Sequence, residues 1–98
     1  MTRTILVVQL IMHKVRMKNK VLKSLQKLPI AEQKKFTALV VDLEADGPIQ
    51  PSWPNYSKLG DNDYHCHLSY KWVACWRNEE KSIIVEVYYA GSRENAPY

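Results

Sequence analysis

Two histidines, His65 and His67, stand two residues apart in a run that alternates polar and apolar side chains. Read as a strand, Tyr64–Ser69 puts Tyr64, Cys66 and Leu68 on one face and His65, His67 and Ser69 on the other. The next run, Lys71–Arg77, alternates too. Trp72, Ala74 and Trp76 read as core, and Lys71, Val73, Cys75 and Arg77 point the opposite way. In Ser82–Ala90, the residues Ile83, Val85, Val87 and Tyr89 form one set, and Glu86 and Tyr88 belong to the other. One sheet face therefore presents His65, His67, Lys71, Arg77, Glu86 and Tyr88, and the tail beyond adds Arg93 and Tyr98. A sheet covered on its far side by helices normally exposes unremarkable polar residues here.

These side chains suit one chemistry. Cleaving RNA at the 2′-hydroxyl needs a base for that proton, cations for the charge growing on phosphorus, and a proton for the leaving 5′-oxygen. Histidine suits proton transfer because its ordinary pKa lies near neutrality. Lys and Arg supply electrostatic stabilisation, and Tyr can stack on a base or handle a proton. A plain reading stands beside this one. The histidines are also ordinary exposed polar residues of a strand, Lys71 and Arg77 solvated cations, and Glu86 the partner of one of them. His65-Cys66-His67 suggests zinc, but Cys66 points away from both histidines, so no metal site is expected. No cofactor is expected either. Cys66 and Cys75 read as small buried hydrophobes.

The elements that must position these groups follow from pattern and punctuation. His13–Lys18 alternates as a half-buried strand. Asn19 is suited to cap a helix on which Leu22, Leu25 and Leu28 recur, with Pro29 as its stop. A second helix is expected from Ala31 to Glu44, with Phe36, Leu39, Val40 and Leu43 as its stripe. Ala45-Asp46-Gly47-Pro48 ends it. The short joint at Pro29 implies an antiparallel helix hairpin. Residues 47–63 carry three prolines and two glycines and read as a loop, pinned by Trp53 and Tyr56. Asn78–Lys81 is the last hairpin turn. The order is β-α-α-β-β-β, an α+β fold with a mainly antiparallel sheet and both helices on one face.

Length and charge bound the rest. The chain has 98 residues, 46% hydrophobic and 24% charged, which allows one domain with one core. Its net charge of +4 is unevenly spread. Residues 1–35 hold nine Lys/Arg against one acid, and the remainder five against nine. The basic half reads as a contact surface for a phosphate-rich or acidic partner, RNA among them, with Lys14, Arg16, Lys18, Lys20, Lys23 and Lys27 as the candidate residues, and equally as an ordinary solvated face. Two cysteines are too few for a disulfide scaffold and fit a reducing cytoplasm. The apolar start, Ile5–Met12, is far shorter than the ~20 residues a bilayer requires and has no small-residue cleavage site. No membrane association is expected. Residues 1–12 read as an extension or an extra strand before a single domain at 13–98, with Met12 as an alternative start.

The last third resembles the RelE/HigB-type toxins of bacterial toxin–antitoxin systems. WVACWR, the closing EVYYAGSRENAPY and the preceding GPIQPSWPNYSKLGDNDYHCH carry the resemblance. The segment LKSLQKLPIAEQKKFTALVVDLEADGP fits more generically. The resemblance spans about residues 13–98. It implies a microbial RNase fold acting as an mRNA interferase, which enters the ribosomal A site and cuts the codon there without a metal. It also implies a cognate antitoxin, held in a toxin–antitoxin hetero-oligomer, with the 70S ribosome and mRNA as further partners. The matching positions are His65, His67, Lys71, Arg93 and Tyr98. The histidines replace lysines of RelE, and Lys71 stands where Arg is common. His67 is then the first candidate for proton transfer, with His65 sharing that role or binding phosphate. Lys71 and Arg93 hold the scissile phosphate, and Tyr98 stacks on or orients a base. Arg77, Glu86 and Tyr88 are supporting candidates. The alternatives are a ParE-like poison of DNA gyrase or a catalytically inert RNA- or partner-binding domain on the same fold.

Overall fold

A computed structural model describes residues 13–98. The expectations about the extension 1–12 lie outside the described residues. Strand β1 (Lys14–Arg16) leads into helix α1 (Asn19–Gln26), and helix α2 (Ile30–Asp46) follows after a three-residue joint. Strands β2 (Ser57–Lys58), β3 (Asp63–His67), β4 (Trp72–Arg77) and β5 (Ile84–Ser92) complete the chain, with a 3₁₀ turn at Glu79–Lys81 before β5. The sheet order is β1-β5-β4-β3-β2. Among the described residues only the β1–β5 pair is parallel; the other three pairs are antiparallel. This is the expected α+β fold with a mainly antiparallel sheet.

Helix α1 starts differently from the sequence expectation. Lys18, in extended backbone, is its N-cap, and Asn19 is already helical with no side-chain cap. The core-facing stripe is accordingly Val21, Leu25 and Leu28, with Leu25 half-buried, while Leu22 is exposed. The spacing i, i+4, i+7 holds, but from a different first residue. The joint after α1 is tied to α2: the Gln33 side-chain amide donates to the Leu28 carbonyl at 2.9 Å. Helix α2 buries Phe36, Leu39 and Leu43, with Val40 packed beside them.

Gly47 stops α2. Its φ is +83° and its ψ −160°, a region that is essentially reserved for glycine. A Cβ there would lie 2.6 Å from Cε1 of the His13 ring. Gly47→Ala is expected to cost about 2–3 kcal/mol, from backbone strain of about 1–3 kcal/mol and the need to displace that ring. The check is urea unfolding, in which the midpoint should fall at unchanged slope; an unchanged midpoint would show that the chain relaxes around Ala at no cost.

Helix residues Val21, Phe36, Leu39 and Leu43, with Leu28 of the joint between the helices, pack against Tyr64, Cys66, Leu68, Ala74, Trp76, Val85, Val87 and Ala90 of the sheet side. Trp72, expected in the core, is only partly buried at its margin. The segment after α2 is tied down as the tryptophan and tyrosine implied. Trp53 Nε1 donates to Asp42 Oδ2 at 2.8 Å and Trp76 Nε1 to the Pro48 carbonyl at 3.0 Å. Tyr56 stacks on Tyr64 and Trp76.

Two features were not legible in the alternation. Within the expected loop, Ser57 and Lys58 pair with His65 and Tyr64 as an edge strand. In β5 the register slips: Cys75 faces Tyr89, but Trp76 faces Val87. Tyr88 is therefore the extra residue of a β-bulge. Beyond it the faces exchange, so Tyr89 lies on the open face beside Cys75, and Ala90 takes the core position that Tyr89 was expected to hold.

Candidate active site

Strand pairing sets the open face out in cross-strand rows, because directly paired residues point to the same side of a sheet. The middle row is Ser57, His65, Cys75 and Tyr89. On one side of it lies the row His67, Val73 and Gly91. On the other lies a charge row of Asp63, Arg77, Glu86 and Arg16.

The first two rows hold the histidines. His65 is buried, and its Nδ1 is 3.1 Å from Ser57 Oγ. That bond fixes the ring and directs its other nitrogen away from the β2 edge. The His67 ring centroid is 5.7 Å away, tilted by 60°. The tail after β5 returns to this face: the Tyr98 ring centroid stands 4.5 Å from His65. Arg93 is anchored at the far end, its backbone N–H donating to the Lys71 carbonyl at 2.7 Å. Its guanidinium lies 4.6 Å from the Tyr70 ring centroid, a cation–π contact. Gly91 keeps this surface low, since a Cβ there would meet Tyr89 Oη at 2.9 Å.

The electrostatics follow from this packing. Burial lowers the His65 pKa, the neighbouring His67 adds to the effect, and a hydrogen bond to the Ser57 backbone opposes it. Burial also lowers His67, with the positive charge of Arg93 acting in the same direction. Burial raises the Tyr98 phenol, so it keeps its proton at neutral pH. Burial pushes the Cys66 and Cys75 thiols up to about 12, which leaves both protonated and inert. Two uncharged imidazoles beside a fixed guanidinium can accept a proton and hold a phosphate.

A pH dependence follows with a definite sign. A histidine whose folded pKa lies below its ordinary value near 6.5 takes up a proton less readily than it does in the unfolded chain. Stability is therefore expected to fall as pH drops from 7.5 through 6.5, and this loss levels off once the folded imidazoles titrate. NMR titration should place both imidazole midpoints below 6.5. Midpoints at or above that value would contradict the burial of these two rings.

The remaining candidates are distributed as follows. Lys71 is exposed where β4 begins, next to Arg93. Arg77 pairs with Asp63 at 3.4 Å and lies 4.1 Å from the Tyr88 ring centroid. Glu86 pairs with Arg16 at 3.5 Å. These three supporting residues thus form a separate charged group, two residues along β4 from the His65 row. Burial, chiefly, pushes the Tyr88 phenol up to about 12. Lys14, Arg16, Lys18, Lys20, Lys23 and Lys27 are all exposed, and Lys18 and Lys20 border a hollow shared with Arg77, Glu86 and Tyr88. Cys66 is fully buried in the helix-side core, so His65, Cys66 and His67 do not converge on one point. Among the described residues no helix is long and apolar enough to cross a membrane. The sequence reading missed Ser57, Tyr70 and Tyr89. Tyr70 alone left a trace, as an aromatic at the turn just before Lys71.

No protein-family model matches the chain, and no curated protein matches its sequence. Solved structures do match. A chain of the archaeal RelE–RelB complex from Pyrococcus horikoshii aligns with a TM-score of 0.68 at 18% identity, covering 87% of this chain and 99% of that one. A chain of the Escherichia coli DinJ–YafQ toxin–antitoxin complex aligns with 0.66 at 11% identity, covering 90% and 100%. One from the YoeB–YefM complex of Staphylococcus aureus gives 0.64 at 9% identity, covering 81% and 94%. The architecture is that of the RelE-type toxins. At these identities the likeness is one of fold.

Proposed function

We propose that this protein is the toxin of a type II toxin–antitoxin system and cuts mRNA in the A site of the ribosome. The observation that carries the reading is the gathering of His65, His67, Arg93 and Tyr98 on the open face of a RelE-type sheet. Fold alone does not assign a reaction; this group of side chains narrows it.

In the proposed reaction His67 takes the proton of the 2′-hydroxyl. The freed 2′-oxygen forms a bond to phosphorus while the bond from phosphorus to the 5′-oxygen breaks. The 5′-oxygen takes up a proton from water, and the proton on His67 returns to water, leaving a 2′,3′-cyclic phosphate and a 5′-hydroxyl. Arg93 and Lys71 face the negative charge that builds on the phosphoryl oxygens, where fixed cations act most strongly. His65 shares the proton transfer or holds phosphate, and Tyr98 stacks on or orients a base. The six exposed basic residues of β1, α1 and the caps of α1 contact ribosomal RNA without reading sequence. An acidic cognate antitoxin complements this charge and keeps the toxin in check in the cytoplasm.

Primer extension on an mRNA in a reconstituted translation reaction tests the reading. Cuts at A-site codons that appear only with ribosomes are the expected result. Cuts on naked RNA would remove the ribosome requirement. No cuts from folded protein would remove the enzymatic reading altogether, and a supercoiling assay with purified gyrase would then examine the poison on the same fold.

A further inference from the structure

At the end of the sheet, one residue beyond the His67–Val73–Gly91 row, Trp72 pairs with Ser92. There a cleft of about 330 Å³ opens between Tyr70, Lys71, Trp72, Ser92, Arg93 and Glu94. None of the proposed chemistry uses Tyr70, Ser92 or Glu94. The cleft lies at the small end of the ligand-site range, roughly 300–1,000 Å³, which suits one small rigid group. Tyr70 is 73% exposed even though the Arg93 guanidinium occupies one side of its ring. The ring is thereby held in place with a face left open to solvent. An exposed aromatic ring backed by a guanidinium is a platform for a nucleobase. Lys71 and Arg93 supply positive charge for the attached phosphate. Glu94 takes part in neither ion pair found among the described residues, so its carboxylate is available as an acceptor.

We propose that this cleft binds one unpaired nucleotide of the RNA beside the cut, with its base stacked on Tyr70 and its Watson–Crick edge against Glu94. The assignment to substrate RNA rests on the endonuclease reading; binding of the nucleotide itself does not. A carboxylate only accepts hydrogen bonds. Guanine offers two adjacent donors on that edge, N1–H and N2–H. Uracil offers one N–H between two carbonyl oxygens, which a carboxylate repels. The cleft therefore favours guanine over uracil.

The test is an NMR titration of the full chain with GMP and with UMP, following backbone amides. GMP should move the amides of Tyr70, Ser92, Arg93 and Glu94 and bind about fivefold more tightly than UMP, the worth of roughly one hydrogen bond. Tyr70→Ala should weaken GMP about tenfold, as expected for loss of a stacking partner, and Tyr70→Phe should restore it. Glu94→Gln should bring GMP and UMP close to equal while leaving binding in place. Shifts confined to His65, His67 and Tyr98, or GMP affinity unchanged in Tyr70→Ala, would overturn the subsite. The two readings fail separately. GMP binding at the cleft without any ribosome-dependent cutting would retain the subsite and remove the endonuclease. Normal cutting with no cleft shifts at millimolar GMP would do the reverse.

Discussion

His67→Ala is expected to slow mRNA cleavage by about 10²–10⁴-fold, the usual contribution of a positioned proton-transfer group. The fold should survive, because His67 is only half-buried and its backbone N–H, not its ring, makes the bond to the Pro54 carbonyl at 2.8 Å. His67 is favoured over His65 for three reasons. It is the less buried imidazole, so substrate can reach it. It sits in the row nearer Arg93 and Lys71. Its ring is also spared the Ser57 contact that occupies Nδ1 of His65. Time-resolved primer extension with equal amounts of folded wild type and variant measures the effect. A rate within a few fold of wild type would transfer the proton step to another group, and His65→Ala would be the next variant to compare.

Arg93→Ala should cost about 10²–10³-fold in the same assay, the loss typical when one preorganised group facing transition-state charge is removed. The loss should fall on the rate at saturating ribosomes, since the exposed lysines of α1 lie elsewhere and, in the proposed function, would continue to hold RNA. Arg93→Lys should recover only part of it. Lysine keeps the charge but forfeits the broad guanidinium contact with the Tyr70 ring and the forked donors that match a phosphate. A second readout separates this role from a purely structural one. Burial chiefly, and the charge of Arg93 in addition, hold the His67 pKa down, so removing Arg93 should raise the His67 midpoint in an NMR titration. Full cleavage activity in Arg93→Ala would take this residue out of the reaction. An unmoved His67 midpoint would show that the two side chains do not sense each other.

Both predictions depend on features of differing legibility. That β3 places His65 and His67 on one side and Cys66 on the other follows from the two-residue period of any strand. The same holds for Trp76, Val85 and Val87 as core and for the stripe of Phe36, Leu39 and Leu43 on α2, since an apolar residue at regular spacing has one place to go. Gly47 marked the end of α2 because few other residues tolerate its backbone. The charge asymmetry of the two halves is a property of the chain before it folds. Helix α1 was less clear: Val21 and Leu22 are both apolar and adjacent, and only docking against the sheet decides which one is buried.

The rest was settled by pairing between segments far apart in the chain. Ser57 and Lys58 have no strand pattern of their own and become extended because β3 offers them an open edge. The bulge at Tyr88 exists in the register of β5 against β4, and no alternation within β5 announces it. Arg77 and Glu86 share a face with the histidines by parity, but only the cross-strand partners Asp63 and Arg16 draw them into a separate charged group. The contact of Tyr98 with His65 and the cation–π contact of Arg93 with Tyr70 join residues 33 and 23 positions apart. Local periodicity thus determined which residues face the core and which face the open side. Which of the open-side residues meet was decided by register and by the path of the tail, because those depend on long-range contacts that short-range spacing does not encode.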